Sequence, residues 1–400
     1  LKPAQNKICK KIKKSNAVRK EAGIFFAASI FTICKTTLYM KKKTVFCLIL
    51  TATLALFAGV TNPPSIKLKN PPALENKDSF SMILFGDPQT YSKFDFSQPI
   101  FELMTAWTAA HKDALNIKAA LCTGDLVDKN DMLTYKDPNA NVASALQWES
   151  VARAFSRLDG VMPYILCTGN HDYGFYSAEN RNSQLGKYFP ITKNKCWRDC
   201  LVSTSPDANG IMTLENAAYE FDLPNWGKIL VVSVEFAPRD STLDWAKKLT
   251  SSPKYKNHKV IVITHSILKV NKKKVEIIKT EGYKLQPRNF AEAVLKKLAD
   301  DSDNLKLVLC GHSGTPDRMS GHIDYKNAKG RKIPLVCFNP QSCGGWNGNG
   351  GDGWLRIMEF MPDGKTVSMK TYSPLFAASD RTQDLSWNRD SDNEFKIVLE

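Results

Sequence analysis

Ala119-Ala-Leu-Cys-Thr-Gly-Asp-Leu-Val-Asp128 is an apolar run that stops at a glycine and then delivers two carboxylates three residues apart. Four other segments follow the same pattern: Phe85-Gly-Asp-Pro-Gln89, Gly169-Asn-His-Asp172, Thr264-His-Ser266 and Cys310-Gly-His312. A buried strand that ends in a polar turn is how α/β folds build sites at the carboxyl ends of their sheets. Five such ends carrying carboxylate, amide and imidazole groups describe a metal-dependent hydrolase.

The rest of the chain alternates in the same way. Apolar runs predict strands at Ser81–Gly86, Ala119–Thr123, Tyr164–Thr168, Ala218–Asp222, Ile229–Glu235, Lys259–Thr264, Leu305–Leu309, Leu335–Phe338, Leu355–Phe360 and Thr366–Thr371. Helical spacing covers Pro99–Leu115, Ser144–Leu158, Leu243–Thr250 and Asn289–Ala299. Pro362-Asp-Gly-Lys365 marks a hairpin between the last two strands. So many buried strands predict an α/β (α+β) fold with two packed mixed sheets flanked by helices. The polar stretch Tyr176–Pro206 is expected to form a lid or rim.

The formal charge of +15 first suggests a polyanion partner, but twelve of the basic side chains lie in residues 1–61 against the single acid Glu21. The remainder carries 15 − 11 = +4, which gives no reason to expect nucleic acid. Met40-Lys-Lys-Lys43, the apolar run Val45–Val60 and Asn62-Pro-Pro64 have the three regions of a secretory signal, too short for an ordinary bilayer span of about 20 residues. The expected organisation is upstream sequence over 1–39, a signal peptide or uncleaved anchor over 40–61, a linker over 62–78, a catalytic domain over 79–375 and a tail over 376–400. The expected location is extracytoplasmic, with a membrane as partner only through an uncleaved leader. In such a compartment Cys196 with Cys200, and Cys337 with Cys343, are candidate disulfides. Cys122, Cys167 and Cys310, each closing a strand, read as buried packing thiols.

The five blocks resemble those of the calcineurin-like metallophosphoesterases, over about residues 80 to 375. That family's blocks run Asp-x-His, Gly-Asp-x-x-Asp, Gly-Asn-His-Asp/Glu, His and Gly-His-x-His. Gln89 stands where the first block usually has His, and Gly314 where the last has its second His. An Asp-Pro-Gln first block also occurs in a branch of the family. The resemblance implies a four-layer αββα sandwich and two divalent metal ions, manganese first, with iron, zinc or magnesium as alternatives. Asp125 would bridge them. Asn170, His265 and His312 would complete one site; Asp87, Gln89 and Asp125 would form a second, poorer one that favours harder ions. The substrate would be a phosphate mono- or diester attacked by a hydroxide generated at the metals. His171 would assist the leaving group, with Asp128 orienting its ring.

Other residues carry less. Tyr91 and Tyr173, beside the first and third blocks, and Trp346 in the Gly-rich stretch Asn339–Trp354 are candidate substrate contacts. His322 is expected in a surface loop at Met319–Asn327, and His111 and His258 are expected to be structural. A family member that binds metal or a phosphorylated ligand without hydrolysing it is the alternative reading; a membrane-tethered structural protein, resting on the leader alone, is a third.

Overall fold

The computed structural model describes residues 68–133, 140–344 and 350–400. The expected leader segments, the start of the linker and Trp346 lie outside the described residues.

Two seven-stranded sheets form the body. In the first, β1 (Phe80–Phe85), β2 (Ile117–Cys122) and β3 (Tyr164–Leu166) run parallel. On the other side of β1 lie antiparallel β13 (Leu355–Phe360) and then β14 (Thr366–Tyr372). Two short strands, β15 (Trp387–Asn388) and β16 (Phe395–Val398), both pair with β14. The second sheet contains β4 (Leu201–Pro206), β5 (Met212–Leu223), β6 (Gly227–Ser233), β7 (Lys259–Ile263), β10 (Leu305–Cys310), β11 (Ser320–Lys326) and β12 (Lys332–Phe338). Its order is β11-β12-β10-β7-β6-β5-β4, with β6, β7, β10 and β12 parallel. A separate hairpin joins β8 (Leu268–Val270) and β9 (Val275–Ile277).

Alternation along the second sheet creates the layers. Ile229, Val231, Ile261, Ile263, Leu307 and Leu309 face the first sheet in one core. Their neighbours Leu230, Val232, Val260, Val262 and Val308 face α3 (Asp240–Ser251) and α4 (Ala291–Leu298) through Leu243, Ala246, Val294 and Leu295. Helices α1 (Gln98–Ala110) and α2 (Ser144–Ser156) cover the outer face of the first sheet with Phe101, Met104, Trp148, Val151 and Phe155. Each large apolar side chain so buried contributes about 1.5–3 kcal/mol. The result is the expected αββα sandwich.

Several expectations change. The expected tail 376–400 is part of the first sheet, because β16 closes the lower half of β14 and β15 the upper. The described part of the linker packs as well: Glu75 accepts from Ser368 at 2.6 Å and pairs with Lys370 and Lys396. The loop expected at Met319–Asn327 is largely β11, and His322 stacks on Phe395 at 4.0 Å between ring centres, away from the metal blocks. Within Tyr176–Pro206, Trp197 is buried and β4 forms a sheet edge, so only the first part is loop. Neither disulfide is formed; all seven described cysteines are free. Cys200 turns its thiol to the Cys196 carbonyl, and Cys337, opposite Cys310 in the sheet register, turns its thiol to the Gly311 and Ser313 carbonyls. Among the described residues, no helix is long and apolar enough to cross a membrane.

Candidate metal centre

Each block begins just past a strand: Asp87 after β1, Asp125 after β2, Asn170 in the 3-10 turn Asn170–Asp172 after β3, His265 after β7 and His312 after β10. The first three come from one sheet and the last two from the other. Close approach of their backbones needs glycine. A Cβ on Gly169 would lie 2.1 Å from Asp125 Oδ1, and one on Gly311 would lie 2.1 Å from Asp87 Oδ1. Asp125 (φ 50°) and His312 (φ 65°) adopt left-handed backbone, a conformation costing non-glycine residues about 1–3 kcal/mol and found where side chains must be aimed.

Four donors converge. His265 Nε2 lies 3.2 Å from Asp125 Oδ2, 3.1 Å from Asn170 Oδ1 and 3.1 Å from His312 Nδ1. Ligands about 2.0–2.2 Å from one ion stand about 3–3.5 Å apart, so these atoms have the spacing of a shared coordination shell. Tautomers support the fit. His265 Nδ1 meets the Thr123 carbonyl at 2.7 Å and must donate there, leaving Nε2 as a lone pair. His312 Nε2 meets Glu281 Oε1 at 2.8 Å, leaving its Nδ1 lone pair for the same point. Burial opposes charge on His265, but Asp125 and Asp87 outweigh it and raise its pKa to about 10. The pocket thus attracts a cation in whatever form.

The other half is poorer. Asp87 is held by Thr123 Oγ1 and by the His312 backbone N–H, each donating at 2.9 Å. Burial pushes its pKa up, and the nearby Asp125 carboxylate adds to the rise. Gln89, two residues further along the same turn, has its Nε2 donating to Gln341 and its buried Oε1 without a hydrogen-bond partner among the described residues. An orphaned amide oxygen on the same block as a buried carboxylate fits a hard cation. Gly314 is not simply a vacated ligand position, because a Cβ there would lie 2.5 Å from the Asn339 carbonyl oxygen. Gly314→His is therefore expected to destabilise the fold by about 1–3 kcal/mol through overpacking and to add no bound metal. Thermal unfolding and metal analysis of the variant would check this; a gain in stoichiometry would contradict it.

His171 sits beside this centre. Its backbone N–H donates to Asp125 Oδ1 at 2.9 Å, and its Nδ1 meets the main-chain oxygen of Asp128 at 2.6 Å. The orienting group is thus the Asp128 carbonyl rather than its carboxylate, which faces Lys93 and Lys129 instead. Asp172 braces the block by accepting from Gly169 N at 2.8 Å and Val127 N at 3.2 Å.

Two of the expected rim contacts, Tyr91 and Tyr173, are buried instead. Tyr91 is buried against Phe101, with its oxygen accepting from Gly353 N at 3.0 Å. Tyr173 is fully buried and donates to Glu215. Both rings are large enough that core packing wins over a rim position. Burial raises the Glu215 pKa to about 8, although the Tyr173 hydrogen bond pulls it down. A carboxyl raised in the folded state contributes stability below its unfolded value near 4.5 and loses it as pH rises through 8. Glu215→Gln should therefore flatten the stability profile between pH 4.5 and 8, with the variant gaining several kcal/mol on wild type by pH 8 at most. Chemical denaturation at pH 5 and 8 would show it; parallel losses in both proteins would refute it.

Sequence reasoning missed Glu281, which takes the proton side of His312 and also accepts from Ser266 Oγ at 2.6 Å. It lies in the irregular stretch that follows the short strand β9 and belongs to none of the five blocks. His111 caps α1 through the Trp107 carbonyl, and His258 pairs with Glu220 at 3.1 Å, as structural residues.

The family model for calcineurin-like phosphoesterases matches residues 81–316. A Bacillus subtilis (strain 168) relative, the uncharacterized protein YvnB, is 25% identical over 308 residues, 76% of this chain and 20% of that protein. The chain therefore spans about a fifth of the length of the curated relative it matches. Among solved structures, a dimetal phosphatase from Danio rerio has a TM-score of 0.44 at 10% identity, covering 80% of this chain and 99% of its own. Purple acid phosphatase PPD1 from yellow lupin has 0.43 at 12% identity, covering 82% and 55%. GAP50, described as the anchor in the inner membrane complex of Plasmodium, has 0.41 at 12% identity, covering 81% and 89%. With five blocks in order and more than half its length matched, the chain belongs to the calcineurin-like phosphoesterases, metal-dependent hydrolases of phosphoric esters.

Proposed function

We propose that this domain hydrolyses a phosphate mono- or diester at a two-metal centre, held on one side by Asp125, Asn170, His265 and His312 and on the other by Asp87, Gln89 and Asp125. The observation that carries the reading is the convergence of three lone-pair donors within 3.2 Å of a fourth, His265 Nε2, with His171 alongside. Divalent ions bound there would neutralise the anionic phosphate and make water acidic enough to attack near neutral pH. Amide and carboxylate oxygens on the Asp87 side favour manganese or magnesium, and the mixed set around His265 suits manganese, zinc or iron.

The protein's own groups supply orientation. Asp128 O accepts from Nδ1–H of the His171 ring, so a second proton, taken up on Nε2 to form the imidazolium, would be the one given to the departing oxygen. Glu281 and Thr123 O set the two ligand imidazoles from behind, which raises their basicity. The apolar run and basic cluster near Met40 support export of the domain, a reading that amino-terminal sequencing of the secreted protein would test.

The test of function is hydrolysis of an aryl phosphate monoester and diester after metal stripping and then manganese addition. Turnover should appear only with manganese and disappear in Asn170→Ala. Full turnover in the stripped protein would overturn the reading. Bound metal without turnover on either ester would favour the non-hydrolytic binder.

A further inference from the structure

Lys93 and Lys129 stand against the two oxygens of one carboxylate, Asp128, at 3.6 and 3.7 Å, with side chains only 10% and 7% exposed. Those separations are too long for hydrogen bonds, and among the described residues neither ammonium group donates one. Lys129 Nζ also lies 3.9 Å from the centre of the Tyr176 ring, a further sign of a desolvated cation. Among the described residues, two nearly buried ammonium groups share the Asp128 carboxylate, a local excess of positive charge that an anion would offset.

Their position gives the charge a purpose. Lys93 is one turn beyond Gln89, its backbone N–H donating to the Gln89 carbonyl at 3.1 Å. Lys129 adjoins Asp128, whose main-chain oxygen holds the His171 ring. Tyr176 follows the third block, and its neighbour Ser177 meets Asn170 Nδ2 at 3.0 Å. The pair is thus tied, through Asp128 and through the Gln89 turn, to the residues that hold His171 and the first block.

We propose that Lys93 and Lys129 form a second anion subsite on the leaving-group side, and that the preferred substrates are phosphate esters whose leaving group itself carries a phosphate or carboxylate. The proposal rests on the phosphoesterase reading above. Lysine suits the task because its ammonium group is a compact charge with three N–H donors for phosphate or carboxylate oxygens.

Three substrates test it with the manganese-loaded full chain: phenyl phosphate, 4-carboxyphenyl phosphate and 1,4-phenylene bisphosphate. At least one charged leaving group should be preferred over phenyl phosphate by about tenfold or more in kcat/KM. That preference should shrink several-fold in Lys93→Met and in Lys129→Met, and comparing variant with wild type cancels the different intrinsic reactivities of the leaving groups. Loss confined to the bisphosphate identifies a phosphate subsite; loss for both identifies a general anion subsite. A wild type without preference, or a preference that survives in both variants, overturns the proposal. No turnover of any substrate, despite bound manganese, would instead sink the phosphoesterase reading. The same compounds then serve as ligands in calorimetry, where equal affinity for wild type and Lys129→Met would overturn the subsite as well. Unchanged unfolding midpoints in the variants separate lost recognition from lost folding.

Discussion

Asp125→Asn should lower phosphate ester turnover by about 10³-fold or more and release most of the bound metal. The substitution keeps the size of the side chain but removes its charge and places an N–H₂ among atoms that need lone pairs. Asp125 is held from two sides: Oδ1 accepts from the His171 backbone at 2.9 Å, and Oδ2 faces His265 at 3.2 Å. Neighbouring cations keep its pKa below the usual carboxylate range although burial alone would raise it. In metal-free protein the change also leaves a buried, protonated His265 without its main partner, a loss of about 3–5 kcal/mol for a broken buried pair. Metal analysis, kinetics and denaturation on one preparation would separate these effects. Retained metal with near wild-type turnover would remove Asp125 from the centre.

His171→Ala should separate chemistry from metal binding. Turnover of an ester with a poor leaving group, such as an alkyl phosphate, is expected to fall by about 10²–10⁴-fold, the usual range for a positioned acid. Metal content should stay the same, because the His171 ring contacts Asp128 rather than the ligand cluster. With 4-nitrophenyl phosphate the loss should be much smaller, since nitrophenolate departs without a proton. A large, equal loss on both substrates would point to a role in binding; no loss on either would exclude the residue from the reaction.

The parts of the molecule legible in sequence were those where local pattern and tertiary demand agree. β1, β2, β7 and β10 are apolar runs buried on both faces, and each ends at a residue of the centre. Their chemistry could be read because polar groups at such ends have few structural uses. The short or mixed strands were harder. β11 reads Ser-Gly-His-Ile-Asp-Tyr-Lys, with only its first two residues buried, and is a strand because it pairs with β12 along its whole length. β15 and β16 owe their conformation to β14 in the same way. Glu281 was invisible because its meaning lies in a contact with His312, 31 residues further on. The tyrosines misled for the opposite reason: Tyr91 and Tyr173 are near the blocks in sequence but point into the interior. Cysteine spacing misled too, since compartment and proximity say nothing about where each thiol points.

The last 25 residues have a consequence beyond fold membership. β14 pairs with β13 on one side, and on the other its backbone is shared between β15, at Thr371 and Tyr372, and β16, from Thr366 to Met369. A chain ending near residue 375 would expose that margin as a row of unsatisfied amides and carbonyls along a strand rich in β-formers, a template on which further copies could stack. Residues 376–400 therefore cover an edge that would otherwise invite self-assembly, a role separate from the blocks that follow β1, β2, β3, β7 and β10.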